Sequence, residues 1–276
     1  MAKTLLITGC SSGIGLDAAR GMRDRGWTVF ASCRQQRDCD RMRAEGFFSP
    51  RIDYTDEATI HAGLEMVLNE TGGTLDVLFN NGAHGLPGAV EDLPTDGLRA
   101  IFEANFFGWH TLTRAVIPVM RAQGHGRIIH NSSILGFVGF PWRGAYVATK
   151  FALEGLTDTL RVELADTNIH LSLIQPGPVT SKIRQNAIPH FERFVDWENS
   201  ALRNLYEKSL LKRLYHSDGP DRFELPARAV TEKLAHACEA RRPRARYYVT
   251  TPTHIAGRLK RILGTRALDR ILMGLR

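Results

Sequence analysis

Two periods of apolar spacing take turns along this chain from one end to the other. Short apolar runs bounded by Gly, Pro or polar residues fall at residues 3–8, 28–32, 47–52, 76–80, 126–131, 170–175 and 247–250, and their length and content predict seven strands. Between them apolar residues recur every three or four positions. The longest such stretches, 95–123 and 144–166, predict helices, with Pro118 marking a kink or an early end in the first. Strand, helix, strand repeated in this way predicts an α/β fold: a doubly wound, seven-stranded parallel sheet with helices on both faces, where right-handed crossovers place them. Ligands of such sheets bind outside the carboxyl ends of the strands. Gly9 to Gly15, Arg34, Asp53, Asn80, Ser133 and Pro176-Gly177 all fall at those ends, so one rim carries the expected site.

Two stretches break the alternation. Residues 181–225 are long, mixed and aromatic (Phe191, Phe194, Trp197, Tyr206, Tyr215, Phe223), which predicts one or two short helices covering a substrate. From residue 253 onward Ile255, Leu259, Ile262 and Leu263, then Leu268, Ile271, Leu272 and Leu275, recur at helical spacing opposite Arg258, Lys260, Arg261, Arg266, Arg270 and Arg276. Two short amphipathic helices follow, either packed on the body or a partner copy, or acting as an interfacial anchor.

Composition sharpens the tail and excludes some functions. A chain of 276 residues with 43% apolar content suits one domain spanning 1–276. The net charge of +7 is concentrated, because residues 226–276 hold 12 Lys+Arg against 3 Asp+Glu and the other 225 hold 24 against 26. A nucleic-acid binder would spread its basic residues over a face or a recognised motif, so no nucleic-acid partner is expected. No apolar run reaches the ~18 residues of a membrane span, and Met-Ala-Lys-Thr leads straight into a strand. The expectation is a cytoplasmic protein, peripheral to the inner face of a membrane if its tail is an anchor. Cys10, Cys33, Cys39 and Cys238 have no metal-ligand spacing and read as buried free thiols, with no metal site.

The chemistry begins at Thr-Gly-Cys-Ser-Ser-Gly-Ile-Gly, residues 8–15, which joins the strand-like Leu5-Leu6-Ile7 to a helical pattern. Glycines there let the backbone turn sharply and approach a pyrophosphate, while the N–H groups of the helix start point at its oxygens. Gly9, Ser11, Ser12, Gly13, Ile14 and Gly15 are therefore expected at a cofactor, although a plain Gly/Ser turn looks the same when taken alone. Tyr146 and Lys150 are four apart in a predicted helix and so share a face. With six Tyr and seven Lys the spacing arises by chance in ~15% of such chains. Its weight comes from Ser133 at the end of the preceding strand, where both hydroxyls can meet one carbonyl oxygen. A phenol of pKa ~10 is a poor acid at neutral pH. A lysine charge about 4 Å away, at an effective dielectric of ~20, is worth ~4 kcal/mol and would bring it near 7.

Thr-Gly-x-x-x-Gly-Ile-Gly, Asn80-Asn81-Gly82, Asn105, Ser133, Tyr146-x-x-x-Lys150 and Pro176-Gly177 together resemble the short-chain dehydrogenase/reductase family over about residues 3–250. Cys-Ser-Ser-Gly-Ile-Gly-Leu and Tyr-Val-Ala-Thr-Lys-Phe-Ala-Leu-Glu-Gly are similar to its hydroxysteroid dehydrogenase, retinol dehydrogenase and bacterial NADP-dependent aldehyde reductase members. The resemblance implies a Rossmann-type fold, a homodimer or homotetramer, and a catalytic set of Asn105, Ser133, Tyr146 and Lys150. It implies that Lys150, beside Tyr146, holds the nicotinamide ribose, that Asn105 holds a water linking Lys150 to solvent, and that Asp53 meets the adenine amino group. Asn80 and Gly82 would border the cofactor, and Pro176, Gly177, Val179 and Thr180 would carry its carboxamide. One departure is the order Asn-Asn-Gly82-Ala83 where the family has Asn-Asn-Ala-Gly, which bears on the backbone path beside the ribose. NAD-using members place Asp or Glu at the end of the second strand. Here Cys33 is followed by Arg34, whose guanidinium suits the 2′-phosphate of NADP(H), with Gln35, Gln36 and Arg37 as helpers; an ordinary surface arginine is the alternative. His84 reads as a rim residue, since Tyr146 already supplies the proton. The apolar borders 134–142 and 191–197 favour a small lipophilic aldehyde, ketone or alcohol over a sugar or hydroxy acid. The expected function is NADP(H)-dependent hydride transfer on such a compound with Tyr146 as general acid/base. A catalytically silent cofactor-binding regulator and a membrane-associated scaffold are the alternatives.

Overall fold

The structure, a computed structural model, describes residues 2–216 and 219–274. Leu275 and Arg276, the last members of the tail pattern, lie outside them. The strands are β1 (Thr4–Ile7), β2 (Thr28–Ala31), β3 (Val77–Asn80), β4 (Gly126–Asn131), β5 (Ile169–Gln175) and β6 (Arg246–Tyr248). The helices are α1 (Gly13–Arg23), α2 (Gln36–Ala44), α3 (Glu57–Thr71), α4 (Thr95–Phe102), α5 (Gly108–Ala122), α6 (Gly144–Glu163), α7 (Ile183–Phe194), α8 (Arg203–Leu205), α9 (Leu211–Tyr215), α10 (Arg228–Glu239), α11 (Thr251–Ile262) and α12 (Thr265–Met273).

Every strand pairing is parallel and the order is β2-β1-β3-β4-β5-β6. Strand side chains alternate between two cores, as their period of two requires. Leu5, Ile7, Phe79 and Ile129 face Ala18, Met22, Met42, Val230 and Leu234 of α1, α2 and α10, whereas Leu6, Leu78 and Ile128 face Ile60, Leu64, Leu112 and Val116 of α3 and α5. Both faces are covered, giving the Rossmann-type fold. The strand order reverses between β1 and β3, and the crevice at that switch point is where such sheets take ligands.

The sheet has six strands among the described residues, not the seven expected. Residues 47–52 run beside β2 but touch it only at two isolated bridges, Phe30 to Phe48 and Cys33 to Arg51. Pro50 has no N–H to donate, and the Ser49 hydroxyl, not a backbone group, reaches the Ala31 carbonyl at 2.7 Å. The long helix expected over 95–123 is interrupted as well, at Glu103–Phe107, which form a π turn between α4 and α5. Pro118 lies within α5 on its exposed face, so the carbonyl it leaves unbonded meets solvent and the helix runs on.

The described residues of 181–225 form three helices, α7, α8 and α9, not the one or two expected, and they make a cover over the body. Phe191, Val195, Tyr206, Leu210 and Leu214 build a third core with Leu86, Ile101 and Ala145, beside the helix that carries Tyr146. Tyr206 is its anchor. Its hydroxyl donates to Asp92 at 2.8 Å and accepts from the Ala89 N–H at 2.8 Å. No helix among the described residues is long and apolar enough to cross a membrane.

Candidate active site

The glycine turn after β1 is set by close approach. Gly9 has φ +71, and a Cβ there would lie 2.6 Å from the Gly82 Cα; one on Gly15 would lie 2.2 Å from the Gly9 carbonyl oxygen. Both positions exclude a side chain. Gly82 itself is less constrained, since a Cβ there would meet Gly9 and Tyr54 only at 3.4 Å. The shifted glycine of Asn-Asn-Gly-Ala thus leaves the loop after β3 seated on the loop after β1. Gly13 opens α1 with φ +56, Ser12 at the N-cap makes no side-chain cap, and no acidic residue stands in the first turn. The free N–H groups of this helix start fit a phosphate. Arg41, which the sequence did not single out, donates to the Ser11 carbonyl at 2.6 Å and brings another positive charge to the turn.

Thr8 ties the strand ends together. Its hydroxyl accepts from the N–H groups of Asn81 at 2.9 Å and Gly82 at 3.2 Å and shares a 2.6 Å hydrogen bond with the Tyr54 phenol. Tyr54 donates to Asn80 Oδ1 at 2.7 Å, and Asn80 Nδ2 donates to Thr113. Asn80 is fully buried and both ends of its amide are used. A cofactor contact from it would have to run through its backbone. Asp53 sits at the rim in a turn, its Oδ1 accepting from the Thr55 N–H and hydroxyl. Arg34 is exposed just past β2, with no carboxylate at Cys33 before it.

The four catalytic candidates converge. Asn105 occupies the π turn, fully buried, and braces the loop after β3 twice: Nδ2 donates to the His84 carbonyl at 2.8 Å and the His84 N–H donates to Oδ1 at 3.1 Å. Ser133 follows β4, its hydroxyl accepts from the Leu135 N–H at 3.1 Å, and it lies near enough to the Tyr146 phenol to act on its proton affinity. The Lys150 Nζ donates to the Asn131 carbonyl at 2.9 Å and lies 4.2 Å from the centroid of Trp109 and 5.6 Å from that of Tyr146. Trp109 is itself pinned through Nε1 to the Gly82 carbonyl at 2.8 Å. Behind Lys150, Glu154 accepts from Ser132 and Gln175 at 2.6 and 2.7 Å.

The electrostatics differ from the simple pairing expected. Burial pushes the Tyr146 phenol well above its ordinary value, and Ser133 offsets this only in part. Burial lowers Lys150 to about 7, with Glu154 opposing. The ammonium lies over the ring faces and bonds a backbone carbonyl, so in the chain alone it does not bring the phenol to neutrality. At pH 7 the phenol holds its proton.

On the other side of the site the Pro176 carbonyl accepts from the Ile134 N–H at 2.7 Å, and a Cβ on Gly177 would meet Thr250 Oγ1 at 2.2 Å. Val179 bridges to Leu225, while the Thr180 hydroxyl donates to Glu224 at 2.7 Å. The hydroxyl expected at the cofactor is thus held by the end of the cover. His84 stacks face to face on His190 of α7, ring centroids 3.7 Å apart and 5° from parallel. Tyr54, Trp109, Arg41 and His190 all lie far in sequence from the residues they support, which is why spacing alone did not find them, whereas Glu154 lies one turn beyond Lys150 on the same helix.

The family model for short chain dehydrogenases matches residues 3–191. Over 274 residues the chain is 37% identical to the uncharacterized oxidoreductase YbbO of Escherichia coli strain K12, covering 99% of this chain and 95% of that protein. It is 31% identical over 265 residues to 17-beta-hydroxysteroid dehydrogenase type 1 of Homo sapiens, covering 91% of this chain and 78% of that one. A short chain dehydrogenase/reductase from Burkholderia phymatum, solved in complex with NAD, superposes with a TM-score of 0.76 at 26% identity over 93% of this chain and 91% of its own. The family model and these relatives span most of the chain, and the chain belongs to the short-chain dehydrogenase/reductase family of oxidoreductases.

Proposed function

We propose that this protein is an NADP(H)-dependent oxidoreductase that interconverts a lipophilic aldehyde or ketone and its alcohol. The observation that carries this reading is the Tyr146 phenol, with Ser133 near it and the Lys150 Nζ 5.6 Å from its ring, at the edge of the aromatic core built by Trp142, Phe191 and Tyr206. The nicotinamide supplies or takes the hydride when bound. Ser133 and Tyr146 orient the substrate oxygen between their hydroxyls, and Tyr146 gives that oxygen its proton in reduction or removes it in oxidation. Lys150, depressed to about 7, gains and loses its own proton near neutrality and restores the one on Tyr146. Asn105 holds the loop after β3 in place beside them.

The open N-terminus of α1 and the two excluded Cβ positions at Gly9 and Gly15 support a dinucleotide. Exposed Arg34, with no carboxylate before it, supports NADP(H) over NAD(H). Exposed apolar residues on or beside the helices around the site, Phe107 at 47% and Val162 at 71%, support a homo-oligomer. We read the tail as packed on the body through α11. Exposed Ile255, Ile262 and Met273 beside its basic residues favour the second reading, contact with an anionic membrane face.

The test is oxidation of NADPH and of NADH measured side by side over aliphatic and aromatic aldehydes, steroid ketones and quinones. Turnover of apolar carbonyls with NADPH preferred is expected. Tight cofactor binding with no turnover on any of them would point to a silent regulator, against which the intact set of Asn105, Ser133, Tyr146 and Lys150 argues. Binding of neither cofactor would leave only a scaffold.

A further inference from the structure

The apolar borders of the site suggest a purely lipophilic substrate, but the structure places beside them a cation that makes no ion pair among the described residues. Arg143 is the residue just before α6 and stands three positions ahead of Tyr146. Its backbone bridges to Gly88, whose N–H donates to the Trp142 carbonyl at 3.1 Å, so this corner is clamped to the loop after β3. Trp142 is held at φ 65, a left-handed conformation that a bulky residue rarely adopts. Its ring packs on Tyr206 of the cover at 4.8 Å. The strained turn thus fixes the chain between the cover and the catalytic helix, with Arg143 next to Tyr146.

Two more arginines approach from the cover. Arg184 of α7 and Arg213 of α9 are close enough for their charges to act on Arg143. Both reach the Asp221 carboxylate, at 3.1 and 2.8 Å. Arg143 makes no ion pair among the described residues. Its one hydrogen bond runs from Nη1 to the Trp142 carbonyl at 3.3 Å. Burial and the two neighbouring arginines lower its guanidinium to about 10, with Asp221 opposing them, so the carboxylate that acts on it is one that Arg184 and Arg213 already hold. No acidic residue in the first turn of α6 answers it either. A guanidinium carries five donors, and leaving most of them unbonded in an enclosed place is unfavourable unless a ligand takes them.

We infer that Arg143 is a specificity-determining residue that binds an anionic group, a carboxylate or a phosphate, carried by the carbonyl substrate. The inference rests on the reading of this site as a carbonyl oxidoreductase. Arg143 adjoins the first turn of α6, which carries Tyr146, so the anion and the reacting oxygen belong to neighbouring parts of one substrate. The substrate class is then an amphiphile, an apolar body for the cover with one negative charge near the carbonyl.

The probes are benzaldehyde, 4-carboxybenzaldehyde and 4-formylphenyl phosphate, assayed as substrates of the full-length enzyme with its preferred cofactor, and terephthalate, titrated against the cofactor complex through tryptophan fluorescence. The wild type should favour one charged aldehyde over benzaldehyde by at least 10-fold in kcat/KM, and whether carboxylate or phosphate gains more tells which anion fits. Arg143→Leu should lose about 10- to 150-fold more on the charged aldehyde than on the neutral one, mostly in KM, and weaken terephthalate by a similar factor. Arg143→Lys should restore part of both, and it carries the test if the leucine variant does not fold. Aldehydes reduced with no preference for charge, or variants that lose charged and neutral substrates equally, overturn the inference and leave the oxidoreductase reading intact. Terephthalate bound through Arg143 with no aldehyde or ketone turned over keeps the anion site and overturns the reading instead.

Discussion

At the scale of single residues, the arrangement favours a phenol that keeps its proton until the reaction draws on it. Burial raises Tyr146 and lowers Lys150 to about 7, because both charged forms lose solvation in the same enclosed place. In the proposed reaction the proton of Tyr146 is then available to a carbonyl oxygen as negative charge develops there, and the nearby ammonium would stabilise the phenolate that remains. Tyr146→Phe removes that proton while keeping the ring that packs against the cover. The expected fall in kcat is about 10²- to 10⁴-fold, with the cofactor dissociation constant changed less than ~10-fold. A variant retaining more than a tenth of the wild-type rate would exclude Tyr146 as the acid. Arg34 is tested by charge reversal. Arg34→Asp replaces attraction to a 2′-phosphate with repulsion, so NADPH should bind about 10- to 150-fold more weakly, a charged hydrogen bond being worth ~1.5–3 kcal/mol, while NADH improves. A wild type that already prefers NADH in side-by-side kinetics ends the NADP assignment. Much of this set is legible in the sequence, since Gly9 to Gly15 and Tyr146 to Lys150 each lie within one local element. Arg143 and Trp109 are not, because their roles depend on what the folded chain brings against them.

At the scale of elements, the cover meets the loop after β3 through an aromatic contact whose charge state depends on pH. His84 belongs to the loop after β3 and His190 to α7, and their rings stack at 3.7 Å. Burial, then the charge of His190, lowers His84 to about 4; burial, then Arg34 and Arg193, lowers His190. A histidine whose folded value lies below its unfolded ~6.5 binds fewer protons folded than unfolded between those two values. Its contribution is therefore fully present above about pH 6.5 and is lost as the pH falls toward about 4. For His84 the full effect is on the order of 3 kcal/mol, at about 1.4 kcal/mol per unit. Protonation also sets two like charges face to face, so the cover should loosen first. Between pH 6.5 and 4.5, melting temperature should fall and limited proteolysis within residues 181–225 should accelerate. His130 is lowered to about 3 by burial and adds to the same slope from inside the sheet, so the variant is what isolates the latch. His84→Gln should flatten the slope and make the pH dependence of cleavage small, whereas an unchanged slope would leave the stack without a role in holding the cover. Elements were legible to the extent that their pattern was local. The run at 47–52 looks like a strand residue by residue, yet Pro50 and Ser49 prevent its ladder. The π turn at Glu103–Phe107 shows no breaker residue in the sequence, and it is where Asn105 meets the loop after β3.

At the scale of the whole molecule, the basic tail divides into two parts that behave differently. In α11, Thr253 is fully buried, its hydroxyl 3.0 Å from that of Thr250, and both oxygens crowd the place a side chain on Gly177 would occupy. His254 meets the Tyr248 ring edge-on at 5.4 Å, and a Cβ on Gly257 would lie 2.6 Å from that ring. The first tail helix therefore props the turn after β5, which borders the site. α12 has no buried residue, and its Leu268, Leu272 and Met273 line an open cleft of about 490 Å³ against Val138 to Pro141. Deleting residues 251–276 should lower the melting temperature and weaken cofactor binding through the Pro176-Gly177 turn, because it strips Thr250 and Tyr248 of their packing partners. Deleting only 264–276 should cost much less, since none of the described side chains it removes is buried. Each kcal/mol lost is read as roughly 2–4 °C in a domain of this size. The membrane reading makes the opposite forecast: full-length protein floats with anionic vesicles at low salt, is released as salt shortens the Debye length below ~8 Å, and both deletions abolish flotation while leaving melting unchanged. Packing of α11 is visible in the structure, so the expected result is early melting of the longer deletion and a full-length protein that ignores vesicles at every salt concentration; flotation of the full chain together with unchanged melting of the longer deletion would reverse the assignment.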